Sequence, residues 1–318
     1  MKTWLYEVIR VDIKASCFDR YECTFRCHIE NAPFAYKDVK DINSIEIQRY
    51  YNQMNSNEKT YDTIKRVNKL LKRFFKYCVA EGYIFRNPCD NIKIPGINRS
   101  KEKEVEIFTK EELNIIINHK CSRQIKPISL VALSTGMRQG EILALTWDDI
   151  DFDKKEIHIN KTLSCYVDIV GDKRVMARKI QPPKTKNSIR TIPLPDSLVP
   201  VLKDVRKKQL EYQIRLGDLY NKKNERYVFL THTGELCHKS DVNNAWKTYL
   251  KNCNLRHLKF HSLRHTYATL QFENNVPLKT VSALLGHSSI NITADIYTHV
   301  IKKEKEKATD VLSVLKMC

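Results

Sequence analysis

A single change of hydrophobic rhythm constrains the fold of this chain more than any other feature. Over most of its length apolar residues recur every three to four positions, the spacing that lines one face of a helix. Between Ile157 and about Leu194 the rhythm becomes alternation among β-branched residues: IHINKTL, then YVDIVGDKRVMARKI around a Gly-Asp turn, then SIRTIPL. Helical patterns return after Pro195, apart from a short extended YVFLT at 227–231, and persist to the C-terminus. The expected class is mainly α with a small antiparallel β-sheet inserted in a helical domain. No internal repeat or low-complexity tract appears, which disfavours a solenoid.

A chain of 318 residues divides naturally into two domains, each able to bury a core. Residues 1–96 read as a helical domain, closed by Asn87-Pro88 and followed by a charged segment without periodicity at 97–106, as in a linker. Thr109 with Glu112 three residues later is a capping-box signature, opening the second domain at about 107–318. The clearest helix of the first domain is predicted over roughly 60–82. Tyr61, Ile64, Val67, Leu71, Phe74, Phe75 and Cys78 line one face; Lys65, Lys69, Lys72 and Lys76 line another, with Arg66 and Arg73 beside them. A lysine stripe on an isolated helix is ordinarily a solvated face. Here 55 Lys+Arg against 37 Asp+Glu give a net charge of +18 spread along the sequence, which selects a polyanionic partner. Nucleic acid leads over an anionic membrane surface, so Lys65, Lys69, Lys72, Arg73 and Lys76 become candidate phosphate contacts.

No apolar run approaches the roughly 20 residues of a membrane span, and MKTWLYEVIR lacks the apolar core of a signal peptide. A soluble, cytoplasmic protein of a bacterial cell is expected, without membrane partners. The ten cysteines are scattered and form no CxxC pair; even the tightest group, Cys17, Cys23, Cys27 and His28, lacks metal-ligand spacing, so no metal site is assigned.

Four separated segments carry chemistry. In STGMRQGEILALTW, Gly136 permits a turn and Arg138 starts a helix anchored by Ile142, Leu143 and Leu145; Glu141, one turn on, can hold that arginine. PPKTKNSIRTIPL reads as two short strands joined by a tight turn, with Lys184 on the first strand and Lys186 nearer the turn. In HSLRHTYATL, His261 and Arg264 share a helix face while Leu263, Tyr267 and Leu270 serve the core. In LLGHSSINITADIYTHV, Gly286 ends a helix, His287 follows, and Tyr297 lies on the next helix. Each segment alone has an ordinary structural explanation.

In this order and at these intervals the segments resemble the tyrosine recombinases, the family of phage and conjugative-element integrases. Its signature is an Arg in a TGxRxxE-type box, a Lys on a β-hairpin, an HxxR box, an LGH box and a nucleophilic Tyr about ten residues later. The matches here are Arg138, Lys184, His261, Arg264, His287 and Tyr297, with Glu141 at the accessory acidic position. The resemblance covers residues from about 107 to the end. It extends more loosely to the helical core-site-binding domain that such integrases place ahead of the catalytic one. The first residues leave no room for the arm-site-binding domain found in many integrases, implying a compact or truncated form.

The resemblance implies site-specific recombination through a 3′-phosphotyrosyl intermediate. Double-stranded DNA core sites, a homo-oligomer of two to four protomers, and accessory DNA-bending or excision factors would be the partners. No cofactor, metal or ATP is required, because one phosphoester replaces another. The residue types suit that chemistry. Charge gathers on the non-bridging oxygens in the transition state, and two guanidinium forks grip both. Histidines add donors. Tyrosine, with a pKa near 10, must lose its proton as it attacks; His261 is the candidate base and Lys184 the candidate acid for the leaving 5′ oxygen. The tail after Ile301, with Val311, Leu312 and Leu315 at helical spacing, is expected to dock on a neighbouring protomer. A type IB topoisomerase, a non-catalytic DNA-binding regulator on the same fold, and a metal nuclease are the alternatives.

Overall fold

The computed structural model describes residues 1–96, 106–121, 124–171, 173–183, 185–294 and 296. The chain is mainly α with small antiparallel sheets. It divides into two compact units, Met1–Lys103 with Tyr166–Ala177, and Glu104–Cys165 with Arg178–Cys318.

In the first unit, a widened helical turn at Trp4–Ile9 runs into α1 (Arg10–Asp12), followed by α2 (Ala15–His28), α3 (Ser44–Ser56) and α4 (Tyr61–Ala80). Asn43 and Glu46 cap α3 reciprocally, and the Thr60 hydroxyl accepts from the Thr63 N–H at the start of α4. Ile64, Val67, Leu70, Leu71, Phe74, Phe75 and Cys78 of α4 are buried, packing with Trp4, Leu5, Phe25, Ile47 and Tyr51. Tyr61, expected in that row, is only half-buried at the first turn, and Leu70 joins it instead. Lys65, Lys69, Lys72 and Lys76 are exposed; at 100° per residue they occupy one stripe about 60° wide. Lys72 pairs with Asp90 at 3.1 Å. Arg73 turns from the stripe to Asp12, at 3.0 Å, and over the ring of Tyr21. Cys23 and Cys27 stand one turn apart on α2, their sulfurs separated by 4.0 Å.

The second unit is organised around α6 (Ile125–Thr135), whose Ile125, Ile128, Val131, Ala132 and Leu133 are buried. Before it comes α5 (Lys110–Asn118), with Thr109 and Glu112 forming the anticipated capping box. After it come α7 (Gln139–Ile142), β1 (Ile150–Asp151), β2 (Glu156–Ile159), β3 (Thr162–Val170), β4 (Lys173–Gln181), β5 (Arg190–Pro193), α8 (Val199–Leu216), α9 (Lys239–Asn252), α10 (Ser262–Glu273) and α11 (Leu278–Leu285). Helices α8, α9 and α10 all pack on α6, and Trp246 of α9 is buried between Phe108, Tyr249 and Phe260.

The strands depart from the expected single sheet. β1, β2 and β5 form one antiparallel sheet, with Ile157 opposite Ile192 and Ile159 opposite Arg190, while β3 and β4 pair separately. The segment PPKTKNSIRTIPL is accordingly not a two-stranded hairpin. Pro182 and Pro183 have no N–H to donate to a ladder, so β4 stops at Gln181, and a 3-10 turn at Lys186–Ser188 leads into β5 in the other sheet. The outer half of the β3–β4 hairpin belongs to the first unit, where Arg174 reaches the buried Glu22 at 2.6 Å and Arg10 reaches Asp168 at 3.3 Å. Among the described residues no helix is long and apolar enough to cross a membrane.

Candidate active site

Two left-handed glycines shape the site. Gly136 closes α6 at φ +65° and Gly286 closes α11 at φ +65°. A Cβ at Gly136 would also sit 2.5 Å from Tyr267 Cδ1 and 2.7 Å from Leu285 Cδ2, so glycine is demanded by space as well as by conformation. These turns present carbonyl oxygens at the negative ends of two helices, and arginines take them up. Arg264 donates from Nη1 to the Gly136 oxygen at 2.8 Å and from Nη2 to the Leu285 oxygen at 2.7 Å. Arg138 donates from Nη2 to the next carbonyl, that of Gly286, at 3.0 Å. Two guanidiniums contributed by segments more than a hundred residues apart are thus fixed on successive carbonyls.

The sequence places Arg138 at the start of a helix; α7 is only four residues long, and the N–H of Arg138 that precedes it is already used. The Arg138 backbone N–H donates to Glu141 Oε2 at 2.9 Å and its Nη1 to Oε1 at 2.8 Å. Glu141 is 3 % exposed. It receives a second cation, Arg190 of β5, whose Nη2 donates to Oε2 at 2.9 Å and Nη1 to Oε1 at 3.2 Å. Burial alone would push the Glu141 carboxyl up, but the hydrogen bonds and charge of Arg190, with those of Arg138, hold it below the usual carboxylate range. Arg264 is 2 % exposed; burial, and then Arg138, lower it to about 9, still a cation at neutral pH.

The histidines border this cluster. His261, the residue before α10, lies edge-on to His265 with ring centroids 4.8 Å apart. Its outer side is exposed, while burial of the rest, then His265, Arg264 and Arg138, depress its pKa. His287 follows the Gly286 turn and shares a 2.7 Å hydrogen bond between Nδ1 and the hydroxyl of the fully buried Thr293. Burial and then Arg264 and Arg138 bring it down to about 3. Both rings are therefore neutral at pH 7. Three guanidiniums against one carboxylate leave the region positive, ready for an anion.

Arg138, Glu141, Arg264, His261 and His287 thus converge, whereas Lys184, Tyr297 and the tail after Ile301 lie outside the described residues. Of Lys186 only its place in the 3-10 turn is described. Arg190 and Thr293 are members that motif reading overlooked. For Arg190 a signal existed: alternation along β5 places it on the same inward face as the buried Ile192. A cavity of about 780 Å³ lined by Pro127, Leu130, Val205, Tyr212 and Leu230 shares no residue with this cluster.

The chain belongs to the phage integrase family, whose sequence model matches residues 106–304, and it is a tyrosine recombinase. A tyrosine recombinase XerC-like protein of Caldanaerobacter subterraneus subsp. tengcongensis is 45% identical over 99% of this chain and 82% of that protein. The ICEBs1 integrase of Bacillus subtilis is 27% identical over 96% of this chain and 79% of its own length. Among solved structures, a single-residue variant of the Tn1549 transposon integrase in complex with a circular-intermediate DNA superposes with a TM-score of 0.72 at 19% identity, covering 94% of this chain and 96% of that one. A lambda integrase dimer bound to a core site gives 0.67 at 18% identity over 93% and 94%. At such identity these structures define the shared fold.

Proposed function

We propose that the chain is the integrase of a mobile element, exchanging DNA strands at core sites with Tyr297 as the nucleophile. Support comes chiefly from Arg138 and Arg264 held on the successive carbonyls of Gly286 and Leu285, next to His287. The scissile phosphate sits against the open edge of Arg138 and the His287 ring, with the buried Arg264 adjoining them. Tyr297 Oη attacks phosphorus; the O–P bond to tyrosine forms as the bond to the 5′ oxygen breaks. The phenolic proton passes to His261, whose neutral ring has a lone pair to accept it. Lys184 gives a proton to the departing 5′ oxygen. A 5′-hydroxyl from another strand reverses the step, so the phosphoester energy is conserved without ATP or metal.

The first unit would bind the core site, with the Lys65–Lys76 stripe tracking phosphates, and the second would carry the chemistry. The Tn1549 and lambda integrases that share this fold have been captured on DNA, lambda integrase also as a tetramer on a Holliday junction. A dimer-to-tetramer assembly on DNA is accordingly assigned to this chain, in the bacterial cytoplasm, with the tail after Ile301 docking in trans.

The test is a nicked suicide duplex bearing the core site recovered from junctions the protein makes in its host. A covalent, protease-sensitive adduct is expected, absent with Tyr297→Phe and unaffected by a chelator. An adduct that persists in Tyr297→Phe removes that residue from the mechanism; no adduct with the native protein favours a DNA-binding regulator. Exchange between two labelled duplexes separates recombinase from type IB topoisomerase.

A further inference from the structure

We infer that Arg190 is a positioning residue that neutralises Glu141, so that Arg138 keeps a full positive charge for the scissile phosphate. This rests on the reading of Arg138 as a phosphate ligand given above.

The geometry explains why a second cation is needed. Glu141 fixes the plane of Arg138 by accepting from both its backbone N–H and its Nη1. A buried carboxylate at 2.8 Å from a guanidinium would also cancel its charge, leaving a neutral pair where an anion has to be stabilised. Arg190 resolves the conflict. Its fork covers the same two carboxylate oxygens from the β5 side, at 2.9 and 3.2 Å, and its side chain is only 6 % exposed, against 35 % for Arg138. Arg190 is thus the buried counterion, while Arg138, with two of its five donors engaged among the described residues, is 35 % exposed. Arg190 is itself immobilised: Nε donates to the Leu284 oxygen at 2.6 Å and Nη1 to the Ser188 oxygen at 3.1 Å. It also fills the space beside Gly286, where a Cβ would come within 2.9 Å of Nη1. One buried arginine therefore holds together the carboxylate that orients Arg138 and the turn that carries His287. It touches no substrate and acts through Glu141.

A purely mechanical brace and an electrostatic one make different forecasts. Adduct formation on the suicide duplex is timed under single-turnover conditions, with DNA affinity and melting temperature measured alongside. Arg190→Met should slow the chemical step about a hundredfold, the scale of removing one preorganised electrostatic interaction, while DNA affinity changes little. Adding Glu141→Gln to that variant should recover at least about tenfold, because the uncompensated charge is gone and the amide still accepts from the Arg138 N–H. Arg190→Lys, which returns charge but fewer hydrogen bonds, should stay within about tenfold of native. A double variant no faster than Arg190→Met overturns the proposal. Should Arg190→Met fail to fold, Arg190→Lys decides alone: a loss as deep as that of Tyr297→Phe overturns it. Native protein that forms no adduct in the same assay refutes the functional reading instead, so the two failures are distinguishable.

Discussion

The two units of this protein carry positive charge in opposite ways. On α4 the apolar face is buried and the lysines are left in water, four ammonium groups on flexible stems, of which Lys72 has a carboxylate neighbour at 3.1 Å. In the second unit's cluster two of the three guanidiniums are themselves inside. Arg264 is 2 % exposed, Arg190 nearly as buried, and each is tied by hydrogen bonds to helix-end carbonyls or to Glu141. Exposed charges are screened by salt and individually weak. Buried, hydrogen-bonded ones keep their strength and geometry, but burying them is costly unless every donor is satisfied. The contrast fits a division of labour in which the stripe attracts a polyanion of any sequence and the cluster stabilises charge at one phosphate.

The most severe way to break that contrast is Arg264→Lys. Charge is conserved, but an ammonium cannot span the Gly136 and Leu285 carbonyls and face a phosphate as well. We expect adduct formation to fall by at least about a thousandfold, with a lowered melting temperature because a buried carbonyl loses its donor. Retention of activity within about tenfold would mean that charge alone suffices and that the buried geometry is incidental.

A smaller effect is expected beyond the Gly286 turn. Donation from the Thr293 hydroxyl to His287 Nδ1 would leave the ring proton on Nε2, the tautomer able to donate to a phosphate oxygen. Thr293→Val keeps the shape and removes the hydroxyl. It should slow cleavage about tenfold, at the lower end of what a single catalytic group contributes, and shift the ¹⁵N resonances of His287 toward a tautomer mixture; Thr293→Ser should restore both. Unchanged ¹⁵N shifts in the valine variant would show that the hydroxyl does not select the tautomer.

What was legible in the sequence follows the range of the interactions involved. The α4 core face, the Thr109–Glu112 cap and the helix-ending Gly286 are local, with signals a few residues apart, and the structure carries each. The convergence of Arg138, Arg264 and His287 was legible only as family order, because Arg138 is held by the carbonyl of Gly286 and Arg264 by that of Gly136, each more than a hundred positions away. Arg190 escaped because alternation along β5 sets it only on the face of Ile192, and which face turns inward is decided by pairing with β2, where Ile159 lies opposite it. The supposed hairpin around Lys184 failed for a local reason that was present, the Pro182-Pro183 pair, outweighed by the alternation on either side of it.

The smallest effect tests the other side of the comparison. If α4 only supplies mobile charge, Lys69→Ala with Lys72→Ala should weaken DNA binding without altering the rate of cleavage at saturating DNA. Every phosphate that loses its cation flattens the slope of log affinity against log salt by about 0.9. Two fully engaged lysines would account for about 1.8; because Lys72 divides its charge with Asp90, we expect a change nearer to about 1. Lys69→Arg with Lys72→Arg should restore the slope, since on an open stripe the positive charge matters and the shape of the group that bears it does not. The same exchange of arginine for lysine that is tolerated here is the one expected to be ruinous at position 264. An unchanged slope in the double alanine variant would return this face of α4 to solvent and leave the polyanion-binding residues to be sought elsewhere on the first unit.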